Sequence, residues 1–103
     1  MRVTDVLLTE QGEGLIIVAD NGRRHELGAA LLWVECPSAQ GRVRRERGLH
    51  RAAPEGLTIA AVNPIGNYAV NLVFSDGHAR GIYPWPYLAA LATRPQLEDF
   101  LID

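Results

Sequence analysis

The chain has 103 residues, 48% of them hydrophobic, and a formal net charge of −2 with histidines neutral. That length supports one domain with a single modest core and excludes two. Its one cysteine, Cys36, excludes an internal disulfide and fits a reducing compartment.

The first twenty residues include Asp5, Glu10 and Glu13 and lack a basic segment followed by an apolar run. Neither a signal peptide nor a transmembrane span is read there, so a cytoplasmic location without membrane partners is expected. Val3 to Leu8 reads as a first strand, Gln11 to Gly14 as a turn and Leu15 to Ala19 as a second strand. Asn21-Gly22 predicts a hairpin with a two-residue loop, which would oppose Val18 to His25 and Ile16 to Leu27. In that register Ile16, Val18 and Leu27 form the core face, Ile17 shares the other face with Glu26, and His25 sits at the rim. Ala29 to Val34 has the composition of a short helix, ended at Cys36-Pro37 because the residue before proline is pushed away from the α region. Such a helix is marginal alone and must be held by packing.

Residues 41–51, GRVRRERGLHR, carry five arginines and one glutamate, a local +4 that leaves −2 − 4 = −6 for the remainder. A basic loop containing Arg44 and Arg45 can steer an acidic protein or nucleic acid. It lacks the interleaved aromatics that stack on bases, and no nucleic-acid motif surrounds it, so a solvated loop is the simpler reading.

Leu57 to Val62 resumes a strand pattern and leads through Asn63-Pro64-Ile65-Gly66 into a central hairpin over residues 67–83. Tyr68, Val70, Leu72 and Phe74 alternate with Ala69, Asn71, Val73 and Ser75, a period of two that predicts one buried face. A two-residue turn at Asp76-Gly77 would oppose Ser75 to His78, Val73 to Arg80 and Asn71 to Ile82. Tyr68, Val70, Leu72 and Phe74 then share the core face with Ala79, Gly81 and Tyr83. Asn71, Val73, His78, Arg80 and Ile82 form a mixed outer face. Asn71, His78 and Arg80, with Arg44 and Arg45, are the candidate partner-binding residues, since an apolar centre with a polar, arginine-bearing rim suits a protein interface. Pro84-Trp85-Pro86 ends the strand, and Pro86 suits the first turn of a helix carrying Trp85, Leu88, Leu91 and Ala92 at helical spacing. A last short helix is expected over residues 95–102, with Leu97, Phe100 and Leu101 as its buried face.

The run IGNYAVNLVFSDGHARGIYPWPYL, with LLWVECPSA near Cys36, resembles the signature of the gamma-butyrobetaine hydroxylase-like N-terminal domain family. The resemblance implies a small α+β domain of antiparallel hairpins packed with short helices. It also implies a structural zinc held by three cysteines and the histidine of the hairpin turn. Cys36 and His78 stand at two of those positions, but Ser38 and Gly41 stand at the others. Serine and glycine cannot supply the thiolates of a closed tetrahedral site. His50 and Glu35 are the nearest helpers, at spacings that are not those of a zinc motif, so no resident cofactor is expected. The alternative for Cys36 and His78 is a small packed residue and a turn residue. Trp33 stands where family members often carry arginine, and an aromatic there reads as core or interface packing.

No catalytic constellation is recognisable. Cys36 and His78 lack a third orienting group and an oxyanion-hole motif, and no GK[ST] follows the glycines at 12 and 14. The hydroxylase's iron chemistry belongs to a separate domain that is absent from this sequence. The expectation is therefore an interaction module rather than an enzyme. Domains similar to this one are fused to P-loop scaffold ATPases that carry iron–sulfur clusters, which implies such a protein as partner, with self-association a further mode. Two alternatives stay open: a metal-binding accessory component of an oxidoreductase, and a nucleic-acid binder acting through the arginine loop.

Overall fold

The computed structural model of the chain describes residues 2–38, 53–79 and 81–93. Within these residues two three-stranded antiparallel sheets and two helices make up one α+β domain. Strands β1 (Val3–Leu8), β2 (Gly14–Ala19) and β3 (Arg24–Gly28) form the first sheet in that order. Helix α1 (Ala29–Val34) follows directly. Strands β4 (Ile59–Ile65), β5 (Ala69–Phe74) and β6 (Gly81–Pro84) form the second sheet, and α2 (Trp85–Thr93) closes the described chain. Among the described residues no helix is long and apolar enough to cross a membrane.

The sheets share one core, to which Leu15, Ile17, Leu32, Leu72, Phe74, Tyr83, Leu88 and Leu91 contribute fully buried side chains. They touch where the turn after β1 meets the start of β4. The Ile59 amide donates to the Gly12 carbonyl at 2.6 Å. Gly12 has φ +74°, and a Cβ there would lie 2.5 Å from the Ile59 carbonyl oxygen, so only glycine permits that approach.

The first hairpin departs from the expected register by one residue. Gly22 N–H donates to Ala19 O at 2.9 Å and Ala19 N–H to Arg23 O at 2.8 Å, which encloses three loop residues, Asp20 to Gly22. Gly22 has φ +83° and no other residue type has positive φ among the described residues. This is the three-residue loop with a bulge at its left-handed glycine, since a type I′ turn would need positive φ at Asn21 as well. Val18 consequently faces Arg24, and Leu15 faces Leu27. One residue of slip exchanges the faces of a strand: Leu15, Ile17 and Ala19 are buried, whereas Ile16 and Val18 are half-buried. His25, opposite Ile17, is half-buried as a rim residue should be.

The central hairpin uses the same loop. Gly77 N–H donates to Phe74 O and Phe74 N–H to His78 O, both at 2.9 Å, with Gly77 at φ +92°. Phe74, not Ser75, is therefore bonded across to His78. Further along, Leu72 faces Gly81 and Asn71 faces Ile82. From Phe74 to Leu72 is two steps on β5, against three from His78 to Gly81, so a second irregularity restores the expected Asn71–Ile82 pair. The Asn71 amide spans it, donating to the carbonyls of Ala79 at 2.8 Å and Gly81 at 3.0 Å. As a result Ala79, expected on the core side, is exposed.

Val70, Leu72, Phe74 and Tyr83 are buried as the alternation requires, but Tyr68 is 60% exposed. Tyr68 belongs to the turn before β5, where its amide donates to Ile65 O at 3.4 Å, and the core-facing alternation of the strand begins with Val70. β4 runs through Asn63-Pro64-Ile65 rather than stopping at Val62, which proline allows because β4 is an edge strand. Both helices fall where expected, with Leu88, Ala89 and Leu91 as the buried face of α2. The expected helix over 95–102 lies outside the described residues.

The three-residue loop carries a direct test. Ile17→Ala should cost about 2–5 kcal/mol in chemical denaturation, and Ile16→Ala less than half as much. A reversed order would restore the two-residue turn. Phe74→Ala should likewise cost about 3–5 kcal/mol, against under about 1 kcal/mol for Tyr68→Ala.

Candidate functional site

The residues of chemical interest meet where the end of α1 faces the β5–β6 turn. α1 has only six residues, and Gly28 before it provides no side-chain cap. Its C-terminal carbonyls find partners from elsewhere in the chain: the buried Tyr83 hydroxyl donates to Leu32 O at 2.6 Å, and the Tyr87 hydroxyl to Glu35 O at 2.5 Å. These bonds fix the point at which the chain leaves the helix and turns Cys36 inward.

Cys36 is fully buried. Its Sγ lies 3.1 Å from His78 Nε2 and donates to Ser38 Oγ at 3.3 Å. With the thiol proton directed to Ser38, the sulfur is the acceptor for an Nε2–H imidazole. Gly81 makes room for this approach, since a Cβ there would stand 2.8 Å from Sγ and 2.7 Å from a carbon of the Tyr83 ring. The His78 ring is half-buried, with its centroid 5.9 Å from that of Phe74 and 6.4 Å from that of Trp33. The assignment of His78 to an outer face apart from the core is thus corrected: the three-residue turn brings it to the side of Phe74.

Asp76 joins the same two segments. Its Oδ1 accepts the His78 backbone N–H at 3.0 Å, and its Oδ2 accepts the Trp33 indole N–H, also at 3.0 Å. The carboxylate thereby sets the turn and ties it to α1. This arrangement resembles a Cys-His-Asp triad in composition only. A triad needs its carboxylate on the imidazole, where it orients the base; here both oxygens of Asp76 hold other donors, and the sulfur has no exposed surface for a substrate to reach.

The zinc implied by the family resemblance was tested on the same donor set. Cys36 and His78 offer a thiol and an imidazole, Ser38 offers a hydroxyl near the sulfur, and the chain holds no second cysteine. Among the described residues no group of three or more His, Cys, Asp or Glu side chains is placed to hold a metal ion. A three-cysteine, one-histidine zinc does not fit these residues.

The other candidate residues are distributed differently. Asn71 accepts from the Asn63 amide at 3.2 Å and donates twice across the hairpin irregularity, so its side chain is engaged within the sheet. Ile82, opposite it, is 50% exposed. Arg80, Arg44 and Arg45 lie outside the described residues. Missed from the sequence were Asp76 as a link and Trp33 as its donor. A buried indole N–H requires an acceptor, but with the two residues 43 positions apart nothing local in the sequence points to Asp76.

The fold and site define a small antiparallel α+β domain whose two halves are tied by a hydrogen-bonded cluster, without a catalytic triad among the described residues. The chain belongs to the gamma-butyrobetaine hydroxylase-like, N-terminal family, whose sequence pattern it matches over residues 6–89. It is similar to the crystal structure of a protein of unknown function of the DUF971 family from Acidithiobacillus ferrooxidans, with 28% identity, a TM-score of 0.70, and coverage of 90% of this chain and 94% of that one. It is also similar to two proteins solved by NMR in solution. The first shows 38% identity and a TM-score of 0.65 over 89% of this chain and 69% of that one. The second shows 30% identity and a TM-score of 0.65 over 91% and 75%. No curated protein matches the chain.

Replacing Trp33 by Phe preserves most of the ring and removes the bond to Asp76. The expected loss is about 1 kcal/mol, the usual worth of a partly buried hydrogen bond, measured by urea unfolding. A loss near zero would show that Asp76 contributes nothing to holding α1.

Proposed function

We propose that this chain is a protein-binding module and that the outer face of β5 and β6 is its contact surface. The observation that carries the reading is Ile82, a large apolar side chain half exposed on a strand whose other face is fully committed to the core. Val73, half-buried on the same face of β5, extends the apolar centre, and Asn63 on β4 supplies an exposed polar edge. Asn71 enters this reading by shaping the strand rather than by offering free donors. Arg80, Arg44 and Arg45 enter from the sequence alone, as an electrostatic expectation of an acidic partner.

Binding is favoured over catalysis because the sulfur of Cys36 is enclosed and the Asp76 carboxylate is occupied by Trp33 and the turn. The partner class proposed is a P-loop scaffold ATPase carrying iron–sulfur clusters, which rests on the family resemblance alone.

The test mixes the purified chain with such an ATPase and measures affinity by calorimetry. Ile82→Ala should weaken binding about tenfold, the effect of losing roughly 1.4 kcal/mol of apolar contact, with the melting curve unchanged. Unchanged affinity in that variant would remove this face as the contact surface. No binding by the parent chain would remove the ATPase as partner.

A further inference from the structure

The mismatch between the family's zinc and this chain's residues points beyond a lost site. We infer that Cys36, Ser38, His78, Asp76 and Trp33 form a metal-independent clasp that joins the end of α1 to the β5–β6 turn. Sγ and Nε2 are 3.1 Å apart, within reach of a direct hydrogen bond, so the two groups can join without an ion between them.

Ser38 completes the substitution. A cysteine at that position would offer zinc a second thiolate, whereas its hydroxyl accepts the proton of Cys36 at 3.3 Å and leaves the sulfur as acceptor toward His78. The carboxylate of Asp76 forms a parallel brace. It holds the Trp33 indole from α1 and the His78 backbone amide from the turn, each at 3.0 Å, so the histidine is placed before its ring meets the sulfur. The ring is then wedged beside Phe74 and Trp33. Two links thus span the junction, one through sulfur and one through a carboxylate, and neither uses an ion.

The experiment measures metal content and thermal midpoint of the full chain, followed by a double-mutant cycle on Cys36→Ala and His78→Ala. The expected results are zinc far below one ion per chain by mass spectrometry and a midpoint unmoved by excess EDTA or by added zinc chloride. Each single variant should lower the midpoint by about 4–8 °C, and the double variant by clearly less than the sum. Zinc near one per chain with a chelator-induced fall in midpoint would overturn the clasp. So would strictly additive single losses. Should the alanine variants fail to fold, the metal content and chelator response of the parent chain still decide the matter. None of these readouts involves partner binding, so their failure is separate from failure of the proposed contact surface.

Discussion

A helix of six residues cannot hold itself together in water, because nucleation costs more than so few hydrogen bonds return. α1 persists because the second half of the chain supplies what it lacks. The Tyr83 and Tyr87 hydroxyls take two of its terminal carbonyls, and Asp76 takes the indole of Trp33. Tyr83 is fully buried, so its ring and its hydroxyl bind different elements: the ring fills the core of the second sheet while the oxygen ends the helix. The position of Cys36, and hence everything built around it, depends on this dovetailing of residues about fifty positions apart in sequence.

The elements were legible in the sequence because their signals are local. Alternation marked β5, proline at position 86 marked the start of α2, and Pro37 marked the end of α1. Register was less legible. Asn-Gly and Asp-Gly announce a hairpin, but the glycine serves equally as the second residue of a two-residue turn or as the left-handed residue closing a three-residue loop. The chain takes the second option twice, with different consequences. After Asn21-Gly22 nothing compensates, so the buried face of β2 passes from Ile16 and Val18 to Leu15 and Ile17. After Asp76-Gly77 the irregularity spanned by Asn71 restores the count, and Asn71 still faces Ile82.

The site was legible only in part, and for a different reason. Cys36 and His78 are 42 residues apart, and neither periodicity nor turn chemistry places them together. Their proximity was carried by the family resemblance. Asp76 was read as a turn former, which it is, since it accepts the amide two residues on. Its second oxygen serves a tertiary contact that no local rule could supply. Tyr68 continues the alternation of β5 in sequence but not in structure, because it follows a turn where φ of Gly66 is +55° and the strand has not yet begun.

The same geometry explains why a sheet face can be left for other uses. Antiparallel strands present alternate residues to opposite sides, so a hairpin that buries Val70, Leu72, Phe74 and Tyr83 necessarily turns Asn71, Val73 and Ile82 away from the core. Asn71 is engaged by the Ala79 and Gly81 carbonyls, to both of which its amide donates across the irregular part of the hairpin. Ile82 has no such duty, and its apolar surface is half exposed where a polar residue would serve solubility better. A single exposed isoleucine needs no explanation in general. Beside Val73 on the same face, its exposure is the observation on which the proposed contact surface rests, and a strand whose inner face is paired and packed would need little ordering on binding.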